Sequence, residues 1–224
     1  MAMRWRMDEA LASLALVLMA FIPLVEILAR PMLGKGIENA PILVQHLGLC
    51  MAMCGALAAE RHGHLTSLGA LLPDRYKLAQ CGAAVLCGVL SWASWQLVLS
   101  EREAAQPLAY AVPVWWVQAV MPVGFAILGA KLAMRALTSP FWSGLSALCW
   151  PIVGFVLASA FDGQTFVAWP AAIALVLLLL CGAPIFAVLG GCALLLFWQD
   201  GLPLASVALS HYQITVNPSL PALP

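Results

Sequence analysis

Charged residues are scarce in this sequence. Only 9% of its 224 residues are Asp, Glu, Lys or Arg, whereas 63% are hydrophobic and the mean hydropathy is +0.96. A soluble domain carries about 25% charged residues, so this chain lacks the polar groups needed to cover its surface in water. Its ten basic and ten acidic residues cancel in net charge, and the lack of a basic cluster argues against a nucleic-acid partner. The composition therefore predicts a protein whose solvent is lipid.

The sequence also lacks the motifs of metal, cofactor and catalytic sites. None of its seven cysteines forms a Cys-x-x-Cys pair and all lie in apolar runs, although Cys50 and Cys54 share a helical face. Zinc sites need thiolates or imidazoles at short spacings, so we interpret the cysteines as small buried residues. No hydrolytic triad, carboxylate dyad or phosphate-binding glycine loop is visible. We predict that the chain is not an enzyme and binds no cofactor itself.

Long apolar segments are what the sequence has in abundance. Each contains about 20 residues, and a helix of that length, rising about 1.5 Å per residue, crosses a hydrocarbon core of about 30 Å. Their apolar residues are continuous rather than alternating, which favours helices over barrel strands. We predict an all-α integral membrane protein with spans at residues 10–29, 40–59, 78–100, 114–137 and 142–161.

A further apolar segment, residues 166–198, is longer than the bilayer requires. As one straight helix it would measure about 50 Å. Pro184 lies in its middle, and a proline removes a backbone hydrogen bond and kinks or breaks a helix. Either one long kinked span or two half-spans would result, and we predict the kinked span.

The distribution of basic residues predicts the orientation in the membrane. With the N-terminus inside, the inner segments hold seven Lys or Arg residues and the outer loops three, in agreement with the positive-inside rule. The inner residues are Arg4, Arg6, Arg61, Arg75, Lys77, Lys131 and Arg135, and the outer ones are Arg30, Lys35 and Arg102.

Two features of the first two spans indicate contacts between helices. Glu26 lies one turn before Arg30, which is the spacing of an ion pair within a helix, although an interhelical contact is the alternative. Small residues on one face of the second span would let another helix approach closely. They are Gly48, Ala52, Gly55, Ala56 and Ala59.

The histidines leave a second class of function open. His46 lies early in the second span, and His62 and His64 lie at its other end. A haem between helices would need histidines at matched depth on facing spans, so a haem-bearing or haem-free membrane anchor of a redox complex is the weaker alternative. A channel or pump is disfavoured, because the first five spans show no repeated polar positions and no deep acidic groups.

Several short motifs surround the second and fourth spans. They are Glu38 before the second span, Arg61-His62-Gly63-His64 after it, Leu72-Pro73 before Arg75, and Pro113-Val114-Trp115-Trp116 with Met121-Pro122-Val123-Gly124 in the fourth span. These motifs resemble the small membrane subunit of TRAP (tripartite ATP-independent periplasmic) transporters over about residues 8–138. The family commonly has an aspartate after the turn histidine, where this chain has Thr-Ser-Leu-Gly at 66–69, so no role of that aspartate is carried over.

The later part of the chain resembles the start of the large TRAP subunit. The carrying residues are Cys181-Gly182-Ala183-Pro184 with Gly190-Gly191, and residues 218–224 resemble the lead-in to its next helix. The resemblance implies a four-helix small-subunit domain at 1–139 and a connecting transmembrane helix at 140–165. Residues 166–224 would then be the first part of an elevator-type transport domain, cut short at the end.

The resemblance also implies function, partners and location. The chain would brace the large subunit of a sodium-coupled organic-acid importer in the bacterial inner membrane, and the large subunit would continue beyond residue 224. A periplasmic binding protein would deliver the solute, and sodium would bind in the part that is absent. The lipid bilayer is the remaining partner. The candidate assembly or docking residues are Glu26, Arg30, Glu38, Gly55, Arg61 and His64.

Overall fold

The computed structural model describes residues 7–34, 36–65, 67, 75–105, 107–137, 140–165 and 167–215. In chain order, the elements are the helices α1 (Met7–Leu33), α2 (Ala40–Arg61) and α3 (Tyr76–Ala104), the strands β1 (Pro107–Ala109) and β2 (Val112–Pro113), and the helices α4 (Val114–Gln118), α5 (Val120–Ala136), α6 (Pro140–Phe161), α7 (Ala168–Leu180), α8 (Ile185–Gln199) and α9 (Ala205–Thr215).

Five helical stretches are long and apolar enough to cross a membrane, namely α1, α2, α3, α4 together with α5, and α6. Their ends lie within a few residues of the predicted spans, so the prediction of an all-α membrane protein is confirmed. The fourth span is interrupted at Ala119, where Pro122 has no N–H to donate to the carbonyl of Gln118. We call the end of the bundle where α1 begins the proximal end and the end where α1 finishes the distal end.

Helix α3 is the centre of the bundle. Of the residues in an apolar 18-residue stretch of α3, 61% are buried, whereas 6% are buried in the corresponding stretch of α1. Helix α3 packs against α5, α6 and α9. In lipid, helices associate mainly through close van der Waals packing of small residues. The buried small residues of α3 include Ala79, Ala83, Ala84, Cys87, Gly88, Ser91, Ala93 and Ser94.

Two glycines let the backbones of α3 and α6 touch. A Cβ on Gly88 would overlap the carbonyl of Pro151, and a Cβ on Gly154 would overlap the carbonyl of Val85. Any larger residue at either position would therefore push the helices apart.

The predicted kinked span at 166–198 is wrong. The chain turns back at residues 181–184, so α7 and α8 lie antiparallel and Leu175 packs on Gly191. In one continuous helix those residues would be roughly 24 Å apart. Gly182 takes φ 89° at the turn, a conformation that favours glycine, and Pro184 precedes the first turn of α8. The tip of this hairpin lies beside Tyr76 and Arg135 at the proximal end.

The segment after α6 is tied into the same bundle at the distal end. Asp162 accepts hydrogen bonds from the indole of Trp92, at 3.3 Å, and from the backbone N–H of Leu204, at 2.9 Å. Trp198 donates to the carbonyl of Phe161 at 2.8 Å. These polar contacts join the end of α6, the end of α8 and the start of α9 to the middle of α3.

A small β-hairpin caps the distal end between α3 and α4. Strands β1 and β2 pair antiparallel, and the two turn residues, Tyr110 and Ala111, have φ values of 48° and 62°. A two-residue turn with both φ angles positive matches the twist of a hairpin. Strands are recognised in a sequence by apolar and polar residues that alternate over several positions. This hairpin could not be predicted in that way, because its strands hold only three and two residues.

We predict that Gly154→Ala destabilises the protein, because the added methyl group would overlap a backbone carbonyl that cannot move aside. Overpacking of this kind costs about 1–3 kcal/mol. Gly144→Ala is the matched control, since it lies in the same helix and a Cβ there meets no atom within 4 Å. Thermal unfolding in detergent, followed by tryptophan fluorescence, should show a lower midpoint for Gly154→Ala only. Equal midpoints for the two variants would contradict the close α3–α6 contact.

Candidate functional site

An ionic cluster joins three helices at the proximal end. It consists of Asp8 and Glu9 at the start of α1, Glu60, Arg61 and His62 at the end of α2, and Lys131 and Arg135 at the end of α5. Acids near the N-terminus of α1 and a base near the C-terminus of α2 also match the helix dipoles.

Glu60 is the most buried member of the ionic cluster, with 3% of its surface exposed. Its Oε1 lies 2.8 Å from Arg135 Nε, and its Oε2 lies 3.8 Å from Lys131 Nζ. Both bases come from α5, so a single carboxylate of α2 fixes the end of that helix. A buried carboxylate without such partners would be costly.

Arg61 connects α2 to α1 in the same cluster. Its guanidinium pairs with Asp8 through Nη2 and with Glu9 through Nη1, the latter at 3.0 Å. Glu9 also lies 2.9 Å from His62 Nε2. Asp8 in turn lies 3.8 Å from Lys131, so each of the three helices contacts the other two.

The bases of α5 also complete the C-terminus of α2. Lys131 donates to the carbonyl of Leu57 at 3.0 Å, and Arg135 donates to the carbonyls of Glu60 and Arg61. The last carbonyls of a helix have no partner within the helix. In α2 the backbone N–H groups of residues 62–64 already bond the carbonyls of Ala58, Ala59 and Glu60, so the bases of α5 add second partners at this helix end and hold α5 against α2.

At the distal end, Glu26 holds the loop that follows α1. It pairs with Arg30 at 2.6 Å, which is the i,i+4 geometry expected, and it accepts the backbone N–H of Ile37. A Cβ on Gly36 would overlap the same carboxylate. Glu26 thus closes the loop on its own helix, and an interhelical role for it or for Arg30 remains a prediction.

Glu38 joins the α1–α2 loop to the β-hairpin. Its backbone N–H donates to the hydroxyl of Tyr110, and its carboxylate accepts the backbone N–H of Tyr110, both at 3.2 Å. Asn39 donates to the carbonyl of Leu108 at 2.8 Å. The distal surface is therefore one connected structure made from two loops.

His46 does not have the geometry of a haem ligand. Its Nδ1 lies 2.8 Å from the carbonyl of Ile42 and its Nε2 lies 2.6 Å from the hydroxyl of Tyr212 on α9, so both ring nitrogens are engaged. His62 is about 24 Å away along the same helix. Gln118 is fully buried beside Tyr212. His46 and Tyr212 form a polar contact between α2 and α9, and the redox-anchor alternative is not favoured.

Two of the predicted assembly or docking residues, His64 and Gly55, take part in neither the ionic cluster nor the distal loop contacts. His64 is exposed and its ring stacks on that of His62, with centroids 6.1 Å apart. A Cβ on Gly55 would meet no atom within 4 Å. The packing role predicted for Gly55 therefore has no partner among the residues that the structure describes, and it remains a prediction.

Sequence reasoning found Arg61 but missed most of its partners. A usable signal was present: Lys131 and Arg135 are four residues apart, and the predicted topology places them on the same membrane side as Glu60 and Asp8. Tyr212 had no such signal, because its contact with His46 depends on where α9 lies.

These features define the class of protein: a multi-pass helical membrane protein. In the part of the chain that the structure describes, the charged side chains of the ionic cluster join the ends of its helices. A family model described as "Tripartite ATP-independent periplasmic transporters, DctQ component" matches residues 16–140, and the chain belongs to this family. No curated protein and no solved structure matches the chain. The resemblance to the small TRAP subunit is thereby confirmed, and the segment after residue 140 lies outside the matched region.

We predict that Glu60→Gln destabilises the bundle, because it removes the charge that Arg135 and Lys131 share. Breaking a buried ion pair costs about 3–5 kcal/mol, and breaking an exposed one costs about 1 kcal/mol or less. We therefore expect Glu60→Gln to lower the free energy of unfolding by an amount between these two values. Glu103→Gln is the control, since Glu103 is exposed at the end of α3. Unfolding in detergent measures both, and a stability of Glu60→Gln equal to that of the control would be evidence against the cluster.

Proposed function

We propose that this chain is the bracing membrane component of a secondary active TRAP-type importer for organic acids. One observation carries the proposal: in the region matched by the DctQ family, the proximal ends of α2 and α5 are fixed to each other by the ionic cluster. Rigid elements suit a scaffold, whereas groups that couple ions to a solute must lie deep in the membrane. Solute and sodium would accordingly bind in the large component.

We further propose that residues 140–165 are a connecting transmembrane helix and that residues 166–224 are the start of that large component, fused to the small one. The contacts of α6 with α3 and α5, and of α9 with α3, support this. Together with the tie of Asp162 to Leu204, they make α6–α9 a continuation of the same bundle. In the fused protein, α3 would be the element on which both components rest.

The proximal end is proposed to face the cytoplasm of a bacterial inner membrane. It holds Arg61, Lys131 and Arg135, and basic residues are enriched on the cytoplasmic side of membrane proteins. The distal end would then face the periplasm.

A periplasmic binding protein is proposed to dock on the distal surface made by the α1–α2 loop, the β-hairpin and α4. Tyr110 is 63% exposed and Trp116 is 64% exposed there. Tyr and Trp are enriched among residues that dominate interface energies. Arg102 lies over the ring of Trp115, with 5.9 Å between the guanidinium carbon and the ring centroid, and adds a cation to this surface.

The test is uptake by vesicles that contain the complete transporter. Uptake of an organic acid should require this chain, a sodium gradient and the solute-loaded binding protein. Tyr110→Ala should raise the binding-protein concentration for half-maximal uptake about thirtyfold or more, because truncation of a central interface tyrosine costs about 2 kcal/mol or more. Tyr76→Ala, at the proximal end, is the control and should leave that concentration unchanged.

Uptake that proceeds at the full rate after the small-subunit domain, residues 1–139, is removed from the complete transporter would refute the bracing function. An effect of Tyr76→Ala equal to that of Tyr110→Ala would instead refute the distal docking surface alone.

A further inference from the structure

A groove of about 410 Å³ lies where α5, α8 and α9 meet over α3. Two of these helices each present one face to it. On α8 the large side chains of Phe186 and Phe197 lie at the two ends of that face, and Gly190 and Ala193 lie between them. On α9 the lining residues are also spaced three or four apart, as one face of a helix requires. They include Val207, Ser210, His211 and Ile214.

The groove lies at the middle depth of the membrane. Leu90, which lines it, is the central residue of α3, and Phe125, which also lines it, is the central residue of the span Val114–Ala136. The centre of a spanning helix is the part farthest from water on either side. The ring of His211 contacts that of Phe125, with centroids 6.3 Å apart. His211 therefore lies at the depth of the hydrocarbon.

His211 argues against lipid as the occupant of the groove. Its side chain is exposed there, and neither ring nitrogen has a hydrogen-bond partner among the residues that the structure describes. A polar group without a partner is costly in hydrocarbon, because acyl chains neither donate nor accept hydrogen bonds. Ionisable residues inside membrane spans almost always face other protein or a water-filled cavity.

Water is also a poor occupant. The other polar side chains that line the groove are Ser94 and Ser210, and their hydroxyls donate to carbonyls of their own helices. The acceptors are Leu90, at 2.8 Å, and Ser206, at 2.9 Å. A buried water needs about three polar partners, whereas the rest of the lining is apolar. The occupant must therefore be apolar over most of its surface and offer one polar group to His211.

A protein helix meets both requirements, and the shape of the groove fits one. In lipid, helices associate where small residues let their backbones approach closely. Gly190 and Ala193 provide such a place at the centre of the α8 face, and both are only half-buried by the contacts within the bundle. A helix seated there would also contact Phe125 of α5, which belongs to the region that the DctQ family matches.

We propose that this groove receives a transmembrane helix of the large component, and that this helix carries a hydrogen-bonding side chain opposite His211. The inference rests on the proposed function, in which α8 and α9 belong to the start of that component. The helix packs on Gly190 and Ala193 and reaches Phe125. It thereby joins the large component to the small-subunit domain at the middle of the membrane.

The occupant is identified by photo-cross-linking in membranes that contain the complete transporter. The probe is p-benzoylphenylalanine in place of Leu189, which lines the groove and is 64% exposed. Mass spectrometry should find position 189 joined to a helix of the large component outside residues 1–224. The control is the same substitution of Leu177, which is 51% exposed on α7 and does not line the groove. It should not be joined to that helix.

The hydrogen bond is tested by two variants of the complete transporter. His211→Leu should lower the thermal midpoint by about 1–2 °C, because the partner helix loses its hydrogen bond. His211→Gln should keep the wild-type midpoint, because its amide can still form that bond. If lipid covered His211, leucine would instead leave the midpoint unchanged or raise it.

Three results would overturn the proposal: position 189 joined to lipid alone, position 189 joined to residues 1–224 of a second copy, or equal midpoints for the leucine and glutamine variants. Both measurements are read without transport. A failure of uptake to require sodium or the binding protein would therefore count against the proposed function, and the cross-link would still decide what fills the groove.

Discussion

The buried carboxylate of Glu60 limits how α1, α2 and α5 can be arranged. A charge removed from water is tolerated only where opposite charges and hydrogen-bond donors surround it. Arg135 and Lys131 supply them from α5, and the neighbouring Arg61 extends the contacts to Asp8 and Glu9 on α1. Since α1 is exposed along most of its length, these proximal contacts, together with its packing along α2, determine where it stands.

Helix α3 imposes the second constraint. Its small residues bring α5 and α6 close, and the backbone contacts at Gly88 and Gly154 leave no room for adjustment. The same helix also supports α9, beyond the part that the DctQ family matches. The packed helical bundle therefore does not end where the family match ends. The polar contacts of Asp162 and of His46 with Tyr212 hold the later helices in register with the earlier ones.

Hydropathy was enough to predict the five spans, because the length of an apolar segment and the thickness of a bilayer are directly comparable. It could not predict the hairpin of α7 and α8. A proline at 184 is compatible with a kink or a reversal, and the contact of Leu175 with Gly191 that decides between them is a tertiary one. The role of Glu60 was missed for a related reason, since its partners lie more than 70 residues away in sequence. The DctQ-type fold could thus be predicted from local pattern and resemblance, whereas its contacts could not.

The claim that the ionic cluster holds this bundle together is tested most directly by a double-mutant cycle between α1 and α2. Asp8→Asn, Arg61→Gln and the double variant would be compared with the wild type by unfolding free energy in one detergent. Residues in one ionic network show coupling of about 0.5–3 kcal/mol. We predict that the double variant loses at least about 1 kcal/mol less stability than the sum of the single losses. Losses that add within about 0.3–0.5 kcal/mol would contradict the account.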